Sequence, residues 1–333
     1  MRRAVGGTLF LSFVPGLVEA LVAGGVAVAV LDVSYLWGLM LGFALSDVSP
    51  AVTVPILIDF ITRQLSTSKG LPAVLLFAGT INGIFAIVAF YLVMRFEKDL
   101  RNDDESLALA IAKGPLELIG GILVGVLLAV MLQLALATAS TTTRLAVVTT
   151  AAFCTVFVSA DYEYGGGGIL AVLTFGALLG ERWGAAKTAV EKNLRPLWVW
   201  GGQPMLFALT GALVDFDKLG ADILWQGLII IAAGCLVRFL SIYLFLGPVT
   251  GWNKGEVLFT AVTWTAKATV QAALAPVALD VAQDLYGTNP TDLEQQEILD
   301  KARDVMSVAL FSILLTAPNI AFAMVKLGPR LLT

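Results

Sequence analysis

Apolar residues run along this chain in blocks of about twenty, and polar positions gather in the short intervals between them. A helix needs about 20 predominantly apolar residues to cross roughly 30 Å of hydrocarbon. Blocks of this kind fall near 8–30, 35–61, 72–95, 114–137 and 144–159, and again near 165–181, 196–214, 222–247, 256–282 and 303–326. The pattern predicts an all-α polytopic membrane protein of about ten transmembrane helices.

Two blocks are interrupted in comparable ways. The second reads GFALSDVSPAVTVPILID (42–59), with Pro50 and Pro55, and the ninth reads TWTAKATVQAALAPVALD (263–280), with Pro276. Proline and hydroxyl residues free backbone carbonyls at membrane depth, which is tolerated where the chain lines a polar cavity. Broken helices in matching positions predict an inverted repeat. Residues 1–100 would form the first core repeat (helices one to three) and 219–333 the second (helices eight to ten). A pseudo-two-fold axis in the membrane plane would relate them, and helices four to seven (101–218) would form a connecting panel. Small residues in GGILVG (120–125) and YGGGGILAVLTFGALLG (164–180) suit close helix approach there. The run Gly165–Gly168 lacks a following Lys-Ser/Thr and reads as a helix-start turn, not a phosphate loop.

Composition agrees: 58% hydrophobic and 14% charged residues exclude a soluble domain around one core. The bilayer is therefore the first expected partner, and nothing points to nucleic acid. Lys and Arg divide unevenly between the two sides. One side carries Arg2, Arg3, Arg63, Lys69, Arg144, Arg182, Lys187, Lys192, Arg195, Lys254, Lys326 and Arg330; the other carries Lys98, Arg101, Lys113, Lys218, Lys301 and Arg303. This bias predicts both termini on the cytoplasmic side of a plasma membrane, or the matrix or stromal side of an organellar inner membrane. The opposite side is acidic, with Asp99, Asp103, Asp104 and Glu105 in one loop and Asp292, Glu294, Glu297 and Asp300 in another. Trp37, Trp183, Trp198, Trp225 and Trp252 lie near predicted helix ends and read as interfacial anchors. The first apolar block contains Glu19 and continues directly into the helical series, unlike a cleavable leader. There is no histidine, so histidine-based metal binding and proton relay are excluded, and Cys154 and Cys235 sit in apolar blocks as small hydrophobes. Without a nucleophile elbow, a metal-ligand cluster or a sizeable soluble domain, the chain does not read as an enzyme, and no cofactor is expected.

Four ionisable residues lie well inside predicted helices: Glu19, Asp47, Arg238 and Lys267. A charge at the bilayer centre costs roughly 2.5–3.5 kcal/mol on insertion scales, so each implies a partner or an aqueous cavity. Their formal charges cancel, and all four come from the two proposed repeats. Arg238 suits a fixed pairing with a carboxylate through its planar fork. Lys267 reads equally as half of a fixed pair or as a group that releases its proton when a cation enters. Which acid meets which base is open at this level.

The segments SDVSPAVTVPILID, SKGLPAVLLFAGTINGIFAIVAF, WGGQPMLFALTGALVDF, TWTAKATVQAALAPVALD and ARDVMSVALFSILLTAPNIAFAMVKLGPRLLT resemble, in order, the NHA branch of the cation/proton antiporters. The similarity runs from about residue 12 to the C-terminus and starts at what would be the third helix of a twelve-helix plan. It implies an NhaA-like fold with two crossing broken helices and a panel used for dimer contact. The expected assembly is a homodimer or a subunit of a larger membrane complex. By resemblance, Glu19 and Arg238 match a core ion pair between the repeats, and Lys267 matches the lysine of the family's broken helix. The family's pair of adjacent aspartates falls where this chain has Asn82 and Gly83. Asp47, by contrast, occupies a position that is usually small and uncharged in that branch.

A carboxylate supplies both charge for Na⁺ or Li⁺ and a titratable group for H⁺, whereas an amide supplies only dipoles. Asp47 is therefore the candidate cation ligand, either pairing with Lys267 or serving as a relocated cation and proton site. Asn82, Ser49, Thr53, Thr269 and Gln271 are candidates for neutral oxygens around it. Two functions follow: exchange of H⁺ for a small monovalent cation by alternating access with a modified ion site, or a transport-inactive antiporter-fold protein serving as a structural subunit or partner-binding module of a larger assembly.

Overall fold

A computed structural model describes residues 2–65, 69–100, 107–162, 164–212, 221–287 and 292–332. The loop acids Asp103, Asp104 and Glu105, and the cations Arg101 and Lys218, lie outside the described residues, as do the side chains of Arg2, Lys98, Asp99 and Glu294. The described elements are α1 (Arg2–Leu31), α2 (Tyr35–Leu45), α3 (Pro50–Thr62), α4 (Leu71–Leu100), α5 (Leu107–Ala135), α6 (Thr141–Asp161) and α7 (Gly165–Arg182). They continue as α8 (Ala185–Leu197), α9 (Gln203–Ala212), α10 (Ala221–Thr250), α11 (Lys254–Thr263), α12 (Thr269–Tyr286) and α13 (Leu293–Leu331).

Seven stretches among the described residues are long and apolar enough to cross a membrane: Arg3–Leu31, Tyr35–Thr62, Leu71–Glu97, Pro115–Ala135, Thr141–Asp161, Asp222–Thr250 and Gln295–Leu331. Three of the ten expected blocks do not meet this criterion of length and apolarity, each for a physical reason. The block near 165–181 forms α7, but its four leading glycines add little hydropathy. The block near 196–214 is no single helix: α8 ends at Leu197, a π-helical turn covers Trp198–Gly202, and α9 follows. Pro196 and Pro204 flank that turn and remove backbone donors from the helical ladder. The block near 256–282 is split into α11 and α12 by a non-helical stretch around Lys267.

The chain forms two compact units, one made of Met1–Met94 with Leu209–Thr333 and the other of Arg95–Ala208. In the first unit the inverted repeat is visible as the order long helix, broken helix, long helix: α1, α2/α3, α4 and then α10, α11/α12, α13. α1 packs along α2 and α10, and α12 packs along α13 and against α2. One apolar cluster gathers Leu41, Ala44 and Leu45 of α2 with Leu274 and Ala278 of α12. A second gathers Leu57 and Phe60 of α3 with Val257 and Phe259 of α11. The half-helices are thus sorted in crossed pairs, and the two breaks lie between the clusters. Trp37, expected at the interface, is instead buried in the first cluster.

Glycine makes the α1/α2 crossing close. A β-carbon on Gly42 would collide with the carbonyl oxygen of Ala20, and one on Gly38 would lie 2.6 Å from that of Gly24. In the second unit α5 packs on α7 in the same manner, with position 121 facing the backbone of Gly167.

Candidate ion site at the crossing of the broken helices

The first break covers Ser46–Ser49 and ends at Pro50, which opens α3 as its first residue, where a missing N–H is harmless. The second break covers Trp264–Ala268. Pro55 and Pro276, expected to mark the interruptions, lie inside α3 and α12. The two breaks are joined directly, the Ser49 N–H donating to the Ala266 carbonyl at 2.9 Å.

The last carbonyls of a helix have no partner within it and carry partial negative charge. At the end of α2 four consecutive carbonyls are met by side chains of the second repeat. Gln271 Nε2 donates to Ala44 O at 3.0 Å and to Asp47 O at 3.2 Å. Lys267 Nζ donates to Leu45 O at 2.5 Å, and Arg238 donates to Ser46 O at 2.6 Å. Two cations therefore cap the negative end of a half-helix in the protein interior.

Glu19 of α1 balances both. Its Oε1 accepts from Lys267 Nζ at 2.6 Å, and its Oε2 accepts from the Arg238 guanidinium. Glu19, Arg238 and Lys267 are at most 1% exposed. Burying such ions costs several kcal/mol each unless they are paired and hydrogen-bonded. This three-way arrangement pairs all three, and only Arg238 Nε among their side-chain donors and acceptors is left without a hydrogen-bond partner among the described residues.

Asn82 of α4 is also committed. Its Oδ1 accepts from the Val48 N–H and from Arg238, each at 3.1 Å, and its Nδ2 donates to Ser12 O at 3.2 Å. Ser49 Oγ lies 3.5 Å from Thr269 Oγ1, and Thr53 Oγ1 donates to Ser49 O at 3.0 Å. The Ala268 N–H donates to Gln271 Oε1 at 2.7 Å.

Asp47 stands apart. It is fully buried, and neither carboxylate oxygen has a hydrogen-bond partner among the described residues. Pairing with Lys267 is one of two expectations for it from the sequence; in this structure Lys267 is bound to Glu19 instead. Asp47 Oδ1 lies against α4 at Gly83, 2.9 Å from where a β-carbon would stand.

Sequence reasoning passes over Ser12, Ser46 and Thr316. Thr316 of α13 accepts the Lys267 N–H at 3.0 Å and so anchors the second break. Ser46 and Ser12 act through backbone carbonyls, for which residue type gives no signal. Thr263, the last residue of α11, keeps a buried hydroxyl without a partner among the described residues.

With Asp47 ionised, the charges of Glu19, Asp47, Arg238 and Lys267 sum to zero, yet the two cations share one acid and the other acid is left unpaired. An unpaired carboxylate buried beside two helix breaks is suited to hold a small cation or a proton.

A family model described as "Sodium/hydrogen exchanger, transmembrane" matches residues 1–325. Sodium/hydrogen exchanger 9B2 of Homo sapiens is 31% identical over 335 residues, covering 100% of this chain and 60% of that protein. The 9B2 protein of Bison bison bison is 33% identical over 337 residues with the same coverage, and sodium/hydrogen exchanger 9B1 of Homo sapiens is 30% identical over 322 residues, covering 96% of this chain and 60% of that one. The chain thus spans 60% of the length of these relatives. The fold is similar to the sodium proton antiporter MjNhaP1 from Methanocaldococcus jannaschii, with a TM-score of 0.65 at 18% identity over 100% of this chain and 79% of that one. Taken with the crossed half-helices, these matches show that the chain belongs to the sodium/hydrogen exchanger family and has the NhaA-like antiporter fold.

Proposed function

We propose that this protein exchanges Na⁺ or Li⁺ for H⁺ by alternating access, with Asp47 as the group that holds the cation and the proton in turn. The observation that carries this reading is the division of labour among the buried charges. Glu19 holds both Arg238 and Lys267, while the Asp47 carboxylate is buried without a hydrogen-bond partner among the described residues. A small cation entering there gains a full negative charge, and the hydroxyls of Ser49, Thr53 and Thr269 at the joined breaks are the neutral oxygens proposed to complete its shell. A proton neutralises the same carboxylate equally well, so the two ligands compete for one place.

Lys267, Arg238 and Gln271 have a different part in this proposal. They fix the end of α2, and with it the position of Asp47, while the crossing is exposed to the two sides of the membrane in turn. Asn82 is a positioning residue in the same sense, since both ends of its amide are already used.

The test is proton flux in proteoliposomes driven by an imposed Na⁺ or Li⁺ gradient. Wild-type protein is expected to acidify or alkalinise the lumen according to the gradient, and Asp47→Asn is expected to abolish the flux while leaving the protein folded. Absence of cation-dependent flux in the wild type would sink the antiport reading and leave a structural or partner-binding role.

A further inference from the structure

We infer that Asp47 and Gly83 are a matched pair: the carboxylate from the first break fills the space that a side chain at position 83 would take, and Gly83 is the residue that admits it. The functional half of this inference rests on the antiport reading above; the steric half does not.

Gly83 sits in the interior of α4, where glycine is a less favourable helix residue than alanine. Such a residue needs a reason in packing or function. Its backbone is ordinary helix with no positive φ, so the reason is not conformational. The reason lies across the gap: a β-carbon there would stand 2.9 Å from Asp47 Oδ1 and 3.8 Å from Asp47 Cγ. The first distance is closer than β-carbons tolerate, and the second is ordinary contact. Gly79, one turn earlier on the same helix, is a useful contrast. Its β-carbon would have Trp264 at 4.0 Å, so alanine fits without displacement.

Asn82, the preceding residue, clamps Val48 next to Asp47. The backbone beside Asp47 therefore cannot move away from α4 without breaking that bond, so only rotation of the Asp47 side chain itself could relieve a clash. Two consecutive residues of α4 act together, one holding the break and the other leaving room for its carboxylate. The geometry also works in reverse. With residue 47 shortened to alanine, an aspartate at position 83 would project its carboxylate into the same volume from the opposite wall.

A thermal-stability cycle in detergent tests the steric half. Gly83→Ala is expected to lower Tm by about 3 °C in the wild-type background, the effect of modest overpacking. It should leave Tm unchanged or raised in the Asp47→Ala background, and Gly79→Ala should be neutral in both. Equal loss of Tm in both backgrounds would overturn the pairing. The functional half is read in proteoliposomes. Gly83→Ala is expected to reduce cation-driven proton flux at least tenfold, and Asp47→Ala to abolish it. The double variant Asp47→Ala/Gly83→Asp should restore a tenth or more of the wild-type rate. A folded double variant no more active than Asp47→Ala, beside an active wild type, would refute the exchangeable placement. A silent wild type would instead defeat the antiport reading, and the stability cycle would still decide whether the two residues share one volume.

Discussion

Glu19 carries two cations on one carboxylate, and that arrangement sets what each neighbour can do. Replacing it with glutamine keeps the shape but leaves Arg238 and Lys267 buried without a counter-charge. Removing one partner of a buried ion pair costs about 3–5 kcal/mol. Glu19→Gln is accordingly expected to lose much of the protein's stability, seen as a large fall in the detergent melting temperature; a fall of less than about a degree would show that the triad is not what holds the repeats together. Asn82→Ala is a milder lesion with a distinct signature. It strips a partner from the Val48 N–H and another from the Arg238 guanidinium, at about 1–3 kcal/mol per stranded group, and frees the first break. Reduced stability together with slowed transport is expected, whereas a change in stability alone would argue that Asn82 does not position Asp47.

At the scale of the elements, the two breaks depend on different devices. The first ends at Pro50 and is closed by side chains from α10 and α12; the second has no proline and relies on Thr316 and Gln271 to meet its free N–H groups. Gln271 serves both, so Gln271→Ala is expected to loosen the two breaks together. Hydrogen exchange should then rise at Ala268 and around Ala44 to Asp47, and a rise confined to one break would contradict this coupling. The breaks also mark where the sequence stops being legible. Periodicity finds the long helices, though α1, α5 and α13 begin at Arg2, Leu107 and Leu293, well before the expected 8, 114 and 303, and the cost of burying charge singles out Glu19, Asp47, Arg238 and Lys267 from residue type and position alone. Neither signal says that Lys267 meets Glu19 and not Asp47, because pairing depends on which half-helix ends face each other across the repeat. Pro276 points to the correct helix but lies eight residues past Ala268, where the break ends, since a proline can be absorbed inside a buried helix. The turn at Trp198–Gly202 is invisible for another reason: its residues are as apolar as those of a continuous span.

For the molecule as a whole, the proposed antiport lets the charge balance of the site set what each turnover would move across the membrane. Glu19, Arg238 and Lys267 contribute a constant sum if Lys267 stays on Glu19 throughout the cycle. Asp47 is then neutralised by either one monovalent cation or one proton, and the site carries the same charge in both directions. On the proposed function, one cation would then be exchanged for one proton, with no net charge transfer. Were Lys267 also to give up its proton when the cation binds, each turnover would move one net charge. A potential of about 100 mV acts on one charge with about 2.3 kcal/mol, roughly a fifty-fold bias in the final cation ratio. The two cases separate cleanly in proteoliposomes clamped with a potassium diffusion potential. The expected result is that Na⁺ uptake stops where the Na⁺ and H⁺ gradients are equal and opposite in their drive, at zero and at negative potential alike. A balance point that moves with voltage would mean that Lys267 leaves Glu19 during transport, and that the three-way bond is a resting arrangement and not a permanent one.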